Sequence, residues 1–249
     1  MFEMKCVVLL NLIAAIHCGM EGFIVGGKRA AIIDFPHSAY LSVKCDKNPS
    51  QTWMCGASVL NQDLLLTAAH CLDGCPRGMI IFMSAGHSQR LKGHTSYAQS
   101  YIKHHLYIDS TNENDIGMVR MFRRVKFSSR LSRVAIMKRP PISKEARIAG
   151  WGVIDVRNRN ELKDCLRVYI IPQNTFCASS NVNNKYVSSG DSGSALVIRD
   201  YIQIGIVSFK YPHISRNLIV YTNVSSYYTW IHKQAKKLYC SDKNKIVKS

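Results

Sequence analysis

Between residues 24 and 225 the chain is a succession of short β-like runs separated by turn residues, with very little helical periodicity. A run of this length hides its apolar face only by pairing with neighbours, so the pattern predicts an all-β molecule. The clearest runs are Ala39 to Lys44, Leu64 to Thr67, Ile80 to Ala85, Ile116 to Met121, Arg147 to Trp151, Leu166 to Ile171, Ala195 to Ile198, Gln203 to Phe209 and Leu218 to Val224. That many strands suggests barrels or a sandwich. The character changes at the end, where Tyr227, Trp230, Ile231 and Leu238 fall on one helical face and predict a terminal helix packed on the body. Pro140-Pro141, after the basic segment Arg123 to Arg139, is the expected crossing between two halves. With 249 residues and 47% hydrophobic content, the chain can fill one large core or two modest ones.

The N-terminus reads as an export signal. Met1 to Lys5 precede an apolar run from Cys6 to Ile16, followed by the small residues Cys18 and Gly19. That 11-residue stretch falls short of the ~20 that a spanning helix needs. The expectation is therefore a signal peptide over 1–18, a secreted, extracellular and soluble product, and no membrane span. Of nine cysteines, seven lie beyond this signal, which fits disulfides in an oxidising compartment and leaves one without an intramolecular partner. Cys71 and Cys75 lack the companion ligands of a zinc site, and His104-His105 are adjacent rather than four apart, so no metal or other cofactor is expected. The net charge of +17, densest at Arg120, Arg123, Arg124 and Lys126, can attract anionic surfaces. No nucleic-acid module accompanies it, so no specific nucleic acid is expected as a partner.

Three local motifs carry chemistry. Cleaving a peptide with an oxygen nucleophile needs a serine, a histidine to take its proton, a carboxylate to fix that histidine, and amides for the oxyanion. In Gly190-Asp191-Ser192-Gly193 the glycines allow a tight turn that aims the amides of Gly190 and Ser192 at one point. In Leu66-Thr67-Ala68-Ala69-His70-Cys71, small residues permit close packing beneath the imidazole. Asn114-Asp115-Ile116-Gly117-Met118-Val119 sets an acid at the start of an apolar strand, where burial suits a group that holds the histidine tautomer.

With these motifs in the order His70, Asp115, Ser192, the chain from Ile24 to the terminal helix resembles the trypsin/chymotrypsin-type serine proteases, which carry this triad in the same chain order. The resemblance implies two antiparallel β-barrels with the cleft between them, followed by a C-terminal α-helix. It implies His70, Asp115 and Ser192 as the triad and Gly190 with Ser192 as the oxyanion hole. Ile24-Val25-Gly26-Gly27 resembles the N-terminus made by activation, whose ammonium pairs with Asp191, so 19–23 would be a short activation segment and 24–249 the peptidase domain. Gly150-Trp151-Gly152 resembles a turn of the second barrel, and Ser208 the serine that supports the triad aspartate. Cys55 with Cys71 is the bridge the family implies most firmly; Cys45 with Cys75 and Cys165 with Cys177 are expected as further bridges, with Cys240 left over. Protein or peptide substrates, proteinaceous inhibitors and a monomeric state follow from the same likeness.

The departures bear on activation and specificity. Phe23 stands where family zymogens carry Arg or Lys. One usual cysteine position holds Ser188, and its partner is missing too; another pair appears as Ala146 and Ile198. The primary pocket is expected to be lined by Tyr186, Ser208, Phe209, Lys210 and Ile219, with Tyr186 at its base where tryptic enzymes carry an aspartate. Lys210 and Ile219 replace glycines that keep the walls open. Tryptic specificity is thereby disfavoured. Two readings remain: a serine endopeptidase working through an acyl-enzyme, and a protease-fold binding or regulatory protein with little turnover. Asn223-Val224-Ser225 forms a glycosylation sequon, but its place at the end of a core strand argues against occupancy.

Overall fold

A computed structural model of the chain describes residues 30–48, 50–143, 145–151, 172–179, 190–210 and 218–240. Six antiparallel strands close the first barrel: β1 (Ser38–Cys45), β2 (Thr52–Val59), β3 (Leu64–Thr67), β4 (Met79–Ala85), β5 (His94–Lys103) and β6 (Gly117–Met121), in the spatial order β1-β2-β3-β6-β5-β4. Register brings Leu41 of β1 opposite Cys55 on one side and Met83 on the other. Leu41, Leu64, Leu66, Met83, Ile116 and Met118 are wholly buried and belong to the barrel's core, and the intervening Leu65 and Val119 are buried as well. Closure leaves the barrel without an edge strand.

The second half contains β7 (Ala135–Ile136), β8 (Arg147–Ile148), β9 (Thr175–Ser179), β10 (Ala195–Ile198), β11 (Ile202–Lys210) and β12 (Leu218–Asn223). The described part of the second expected barrel is a six-stranded sheet in the order β8-β10-β11-β12-β9, with β7 alongside β11. A 3-10 turn, Val224–Tyr227, then leads into α1 (Tyr228–Cys240). The Asn223 side chain caps the turn by accepting from the Ser225 amide and hydroxyl, so the sequon is spent on local structure. Tyr227, Ile231 and Leu238 seat the helix on the first barrel's core, as the helical face predicted.

Two strand expectations are corrected. The crossing between halves is not at Pro140-Pro141: the Val134 amide donates to Val59 O at 2.9 Å in the first barrel, and the next amide, Ala135, donates to Tyr201 O at 2.8 Å in the second half. The run Arg147 to Trp151 shortens to two residues of β8, because Gly150 and Trp151 turn toward the other half, with Trp151 Nε1 donating to Ser88 O at 2.8 Å. β2, β5, β7 and β9 were not among the expected runs. β5 alternates polar residues on a largely exposed strand, which carries little apolar signal. The run Leu166 to Ile171 and the segments 1–18 and 19–23 lie outside the described residues.

Polar contacts fix one half against the other. Ser58 Oγ donates to Gln203 Oε1 at 2.6 Å, and the Gly56 amide donates to Ser192 O at 2.7 Å, which brings the serine loop of the second half onto β2 of the first.

Candidate active site

The site is built where the two halves meet. His70 opens a short 3-10 turn, His70–Leu72, directly after β3. Ala68 and Ala69 ahead of it are wholly buried, and Cys71 is bonded to Cys55 on β2, which pins the turn beneath the imidazole. The lack of a side chain at Gly117 lets β6 approach this turn, since a Cβ there would sit 2.6 Å from Leu72 Cδ1. The second bridge, Cys45–Cys75, closes a separation of 30 residues at the edge of the same barrel.

Asp115 has no exposed surface and receives three hydrogen bonds on its carboxylate. The His70 amide donates to Oδ1 at 2.9 Å, while His70 Nδ1 at 2.8 Å and Ser208 Oγ at 2.5 Å both meet Oδ2. The turn that presents it is held by residues that the sequence did not assign to the site. Asn114 adopts a positive φ of 55°, which asparagine tolerates better than most residues. Its side chain is fixed by Tyr227 Oη, donating at 2.9 Å, and by Leu106 O, accepting at 2.9 Å. Thr222 Oγ1 donates to Asp115 O at 2.8 Å. The asparagine beside the acid was visible in the motif; the support from Thr222 and Tyr227 comes from about a hundred residues away and has no local signal.

Burial works against a charged His70, but the Asp115 charge, the hydrogen bond to it and the more distant Asp109 outweigh that cost and hold the imidazole above its ordinary value. With Nδ1 committed to Asp115, the opposite ring edge carries the free nitrogen. Cys55, His70 and Cys71 group their ligand atoms within 4.8 Å, but the two sulfurs are joined to each other and offer no thiolate to a metal.

The Gly190-to-Gly193 loop is pressed against this corner. Gly190 and Gly193 take φ of +100° and +83°, conformations that side chains resist. A Cβ on Gly193 would collide with Thr67 Oγ1 and Gly56 O and lie 3.2 Å from Ala68 N, so only glycine lets the loop reach the strand that leads to His70. Gly193 N donates to Val207 O at 2.8 Å, and Val207 N to Ser194 O at 3.0 Å, tying the loop to β11. Among the described residues the amides of Gly190 and Ser192 have no acceptor in the protein, and Ser192 Oγ makes no hydrogen bond to His70. Such contacts commonly tighten only around a substrate. Asp191 is wholly buried with its carboxylate toward Gly150, where a Cβ would come within 2.7 Å of Oδ1.

The expected pocket residues divide. Lys210 and Ile219 are paired across β11 and β12. Ile219 is wholly buried within the second core, so it fills the wall instead of facing substrate. Ser208 is likewise buried and spends its hydroxyl on Asp115. Phe209 is half-buried against Cys177 and Val220. Burial pushes the half-buried Lys210 ammonium below its ordinary value, partly offset by the Asp191 charge. Cys177 is disulfide-bonded. Its expected partner Cys165, along with Tyr186, Ser188, Ile24 and Phe23, lies outside the described residues.

A trypsin family model matches residues 24–231. The chain belongs to the trypsin family of serine proteases. Among family members it is similar to chymotrypsin from Phaedon cochleariae, at 30% identity over 86% of this chain and 82% of that protein. It is also similar to human (Homo sapiens) cathepsin G, at 28% identity over 90% of this chain and 92% of that one. Solved structures with this family fold include HL collagenase, with a TM-score of 0.72 and 22% identity over 86% of this chain and 99% of that one. Another is the scabies mite inactivated protease paralogue S-D1, with a TM-score of 0.70 and 22% identity over 86% and 98%.

Proposed function

We propose that the chain is a secreted serine endopeptidase with His70, Asp115 and Ser192 as its triad. The observation that carries this reading is the buried Asp115 carboxylate gripping His70 through both its backbone amide and Nδ1. Holding the proton on Nδ1 leaves Nε2 as the base that takes the Ser192 proton as Oγ attacks the scissile carbonyl. The same imidazolium then returns the proton to the leaving amine, and water repeats the cycle to release the acyl group. Asp115 stabilises the transient imidazolium, and the Ser208 hydroxyl steadies Asp115. The unengaged amides of Gly190 and Ser192 supply the oxyanion hole.

Residues 1–18 act as the signal and 19–23 as the activation segment, a division consistent with a family match that begins at residue 24. Cleavage after Phe23 frees the Ile24 ammonium to pair with Asp191, a carboxylate buried so completely that a cation is its natural partner. The primary pocket, with the half-buried Lys210 beside it where tryptic enzymes carry a glycine, favours small side chains over Arg or Lys.

A second reading, a protease-fold binding protein, is favoured by the half-buried Lys210 beside that pocket and by the fold's likeness to an inactivated paralogue. Profiling cleavage of a peptide library by the chain beginning at Ile24, beside its Ser192→Ala variant, separates the two. Turnover by the parent alone supports the endopeptidase; a folded parent with no turnover supports the binding protein.

A further inference from the structure

The most concentrated charge in the molecule lies outside the site just described. From residue 116 to residue 144 there are nine Lys or Arg and no Asp or Glu. Part of this run is the link between the two halves, and its backbone is fixed. Val125, Leu131 and Val134 are buried, and the amides of Val125, Ser132 and Val134 donate to Gln62 O, Pro36 O and Val59 O at 2.7, 2.9 and 2.9 Å. The side chains between these anchors point outward.

Some of the charge is neutralised internally. Arg120 and Arg124 each approach Asp63 Oδ2 at 4.0 Å, and Arg124 also donates to Gln62 Oε1 at 2.7 Å. Arg123, Lys126, Arg130, Arg133, Lys138 and Arg139 are exposed, and among the described residues none of them meets a carboxylate. Six like charges on an anchored strip repel one another, a standing cost that a polyanion would relieve. Four of the six are arginines, whose planar fork matches the oxygens of sulfate better than an ammonium does.

The strip is also remote from the cleft. Within β6, Gly117 pairs with Thr67 beside the His70 turn, whereas Arg120 pairs with Leu64 at the far end. Six residues of extended chain from Asp115 to Met121 cover about 20 Å. The cations then follow the link from the first barrel into the second half, an elongated track suited to a linear chain.

We propose that this strip binds a linear sulfated polysaccharide. Ionic contacts of this kind release counterions, so affinity falls with salt by a log–log slope of about 0.7 to 0.9 per contact. Binding of a size-defined heparin fragment to the purified full chain, read by calorimetry between 50 and 200 mM salt, is expected to show a slope of about −4 to −5. Arg123→Ser with Lys126→Ser and Arg130→Ser should lower the slope's magnitude by about 2 to 3 and weaken binding at 50 mM salt by about 100-fold. A control triple that removes the same charge elsewhere, Lys44→Ser with Lys47→Ser and Arg77→Ser, should leave the slope within about one unit. Arg123→Lys with Arg130→Lys, which keeps the charge, should cost less than about tenfold and guards against misfolding of the first triple. Equal weakening by both triples, or by neither, overturns the proposal. So does tighter binding, through the same residues, of duplex DNA of matched charge or of phosphatidylserine vesicles; the exposed rings of Phe122 and Phe127 would then mark a surface for those polyanions instead.

Discussion

Replacing His37 by phenylalanine is expected to remove a large share of the fold's acid lability. His37 is 1% exposed beside β1, its ring edge-on to Phe35 with centroids 6.2 Å apart, and its Nε2 is buried without a hydrogen-bond partner. Burial pushes its pKa down to about 4; the Asp200 charge opposes this and Arg147 adds to it. Because the folded value lies below the unfolded value near 6.5, the contribution to stability is complete above pH 6.5 and is lost as pH falls toward 4. Between pH 7 and pH 5 the unfolded chain takes up a proton that the folded chain refuses, which costs about 2 kcal/mol. For a chain of this size that corresponds to a fall in Tm of about 4–8 °C. Scanning calorimetry in a Ser192→Ala background, which avoids self-digestion, should show that His37→Phe abolishes this part of the difference between pH 7 and pH 5. An undiminished difference in the variant would refute the reasoning.

Other outcomes follow from the same geometry. Asp115→Asn should lower kcat by about 10⁴ while leaving the fold intact, because the amide no longer fixes the proton on Nδ1; steady-state kinetics on a cleavable peptide measure this. The parent's kcat/KM should rise with pH through a midpoint above 6.5, the ordinary histidine value, since His70 must be neutral to act and Asp115 holds it charged longer. Ser208→Ala removes a donor to a charged acceptor and should reduce kcat by about tenfold with little change in KM. Gly193→Ala should abolish turnover and lower Tm, because no rotamer relieves a Cβ pressed on the Gly56 carbonyl. Cys45→Ser with Cys75→Ser should cost about 3–4 kcal/mol in denaturant unfolding, from the unfolded-state freedom that a 30-residue separation releases.

The parts of the fold that were legible share one property: their signal is local. β3 and β10 match the runs Leu64 to Thr67 and Ala195 to Ile198, where buried aliphatic residues are consecutive. β5 was not, since its residues alternate polar side chains on an exposed strand. The crossing was misplaced because two prolines outweighed the quieter pairing of Ala135 and Ile136 with β11. In the proposed site, His70, Asp115 and Ser192 stand in local motifs, and Ser208 follows from the family resemblance. Ile219 was expected to line the pocket, but the core takes it, because its strand position sets its direction and a motif does not. Thr222 and Tyr227 carry no chemistry of their own; their value lies in where the second half and the helix meet the Asp115 turn.

The central claim is that Ser192 is a nucleophile activated by the His70–Asp115 pair. The most direct test is to treat the chain beginning at Ile24 with a fluorophosphonate and locate the adduct by mass spectrometry, beside Ser192→Ala and His70→Ala. The account predicts a single adduct on Ser192, absent from the first variant and slowed by about 10³-fold or more in the second. A folded parent that stays unlabelled, or one labelled equally fast without His70, would contradict it.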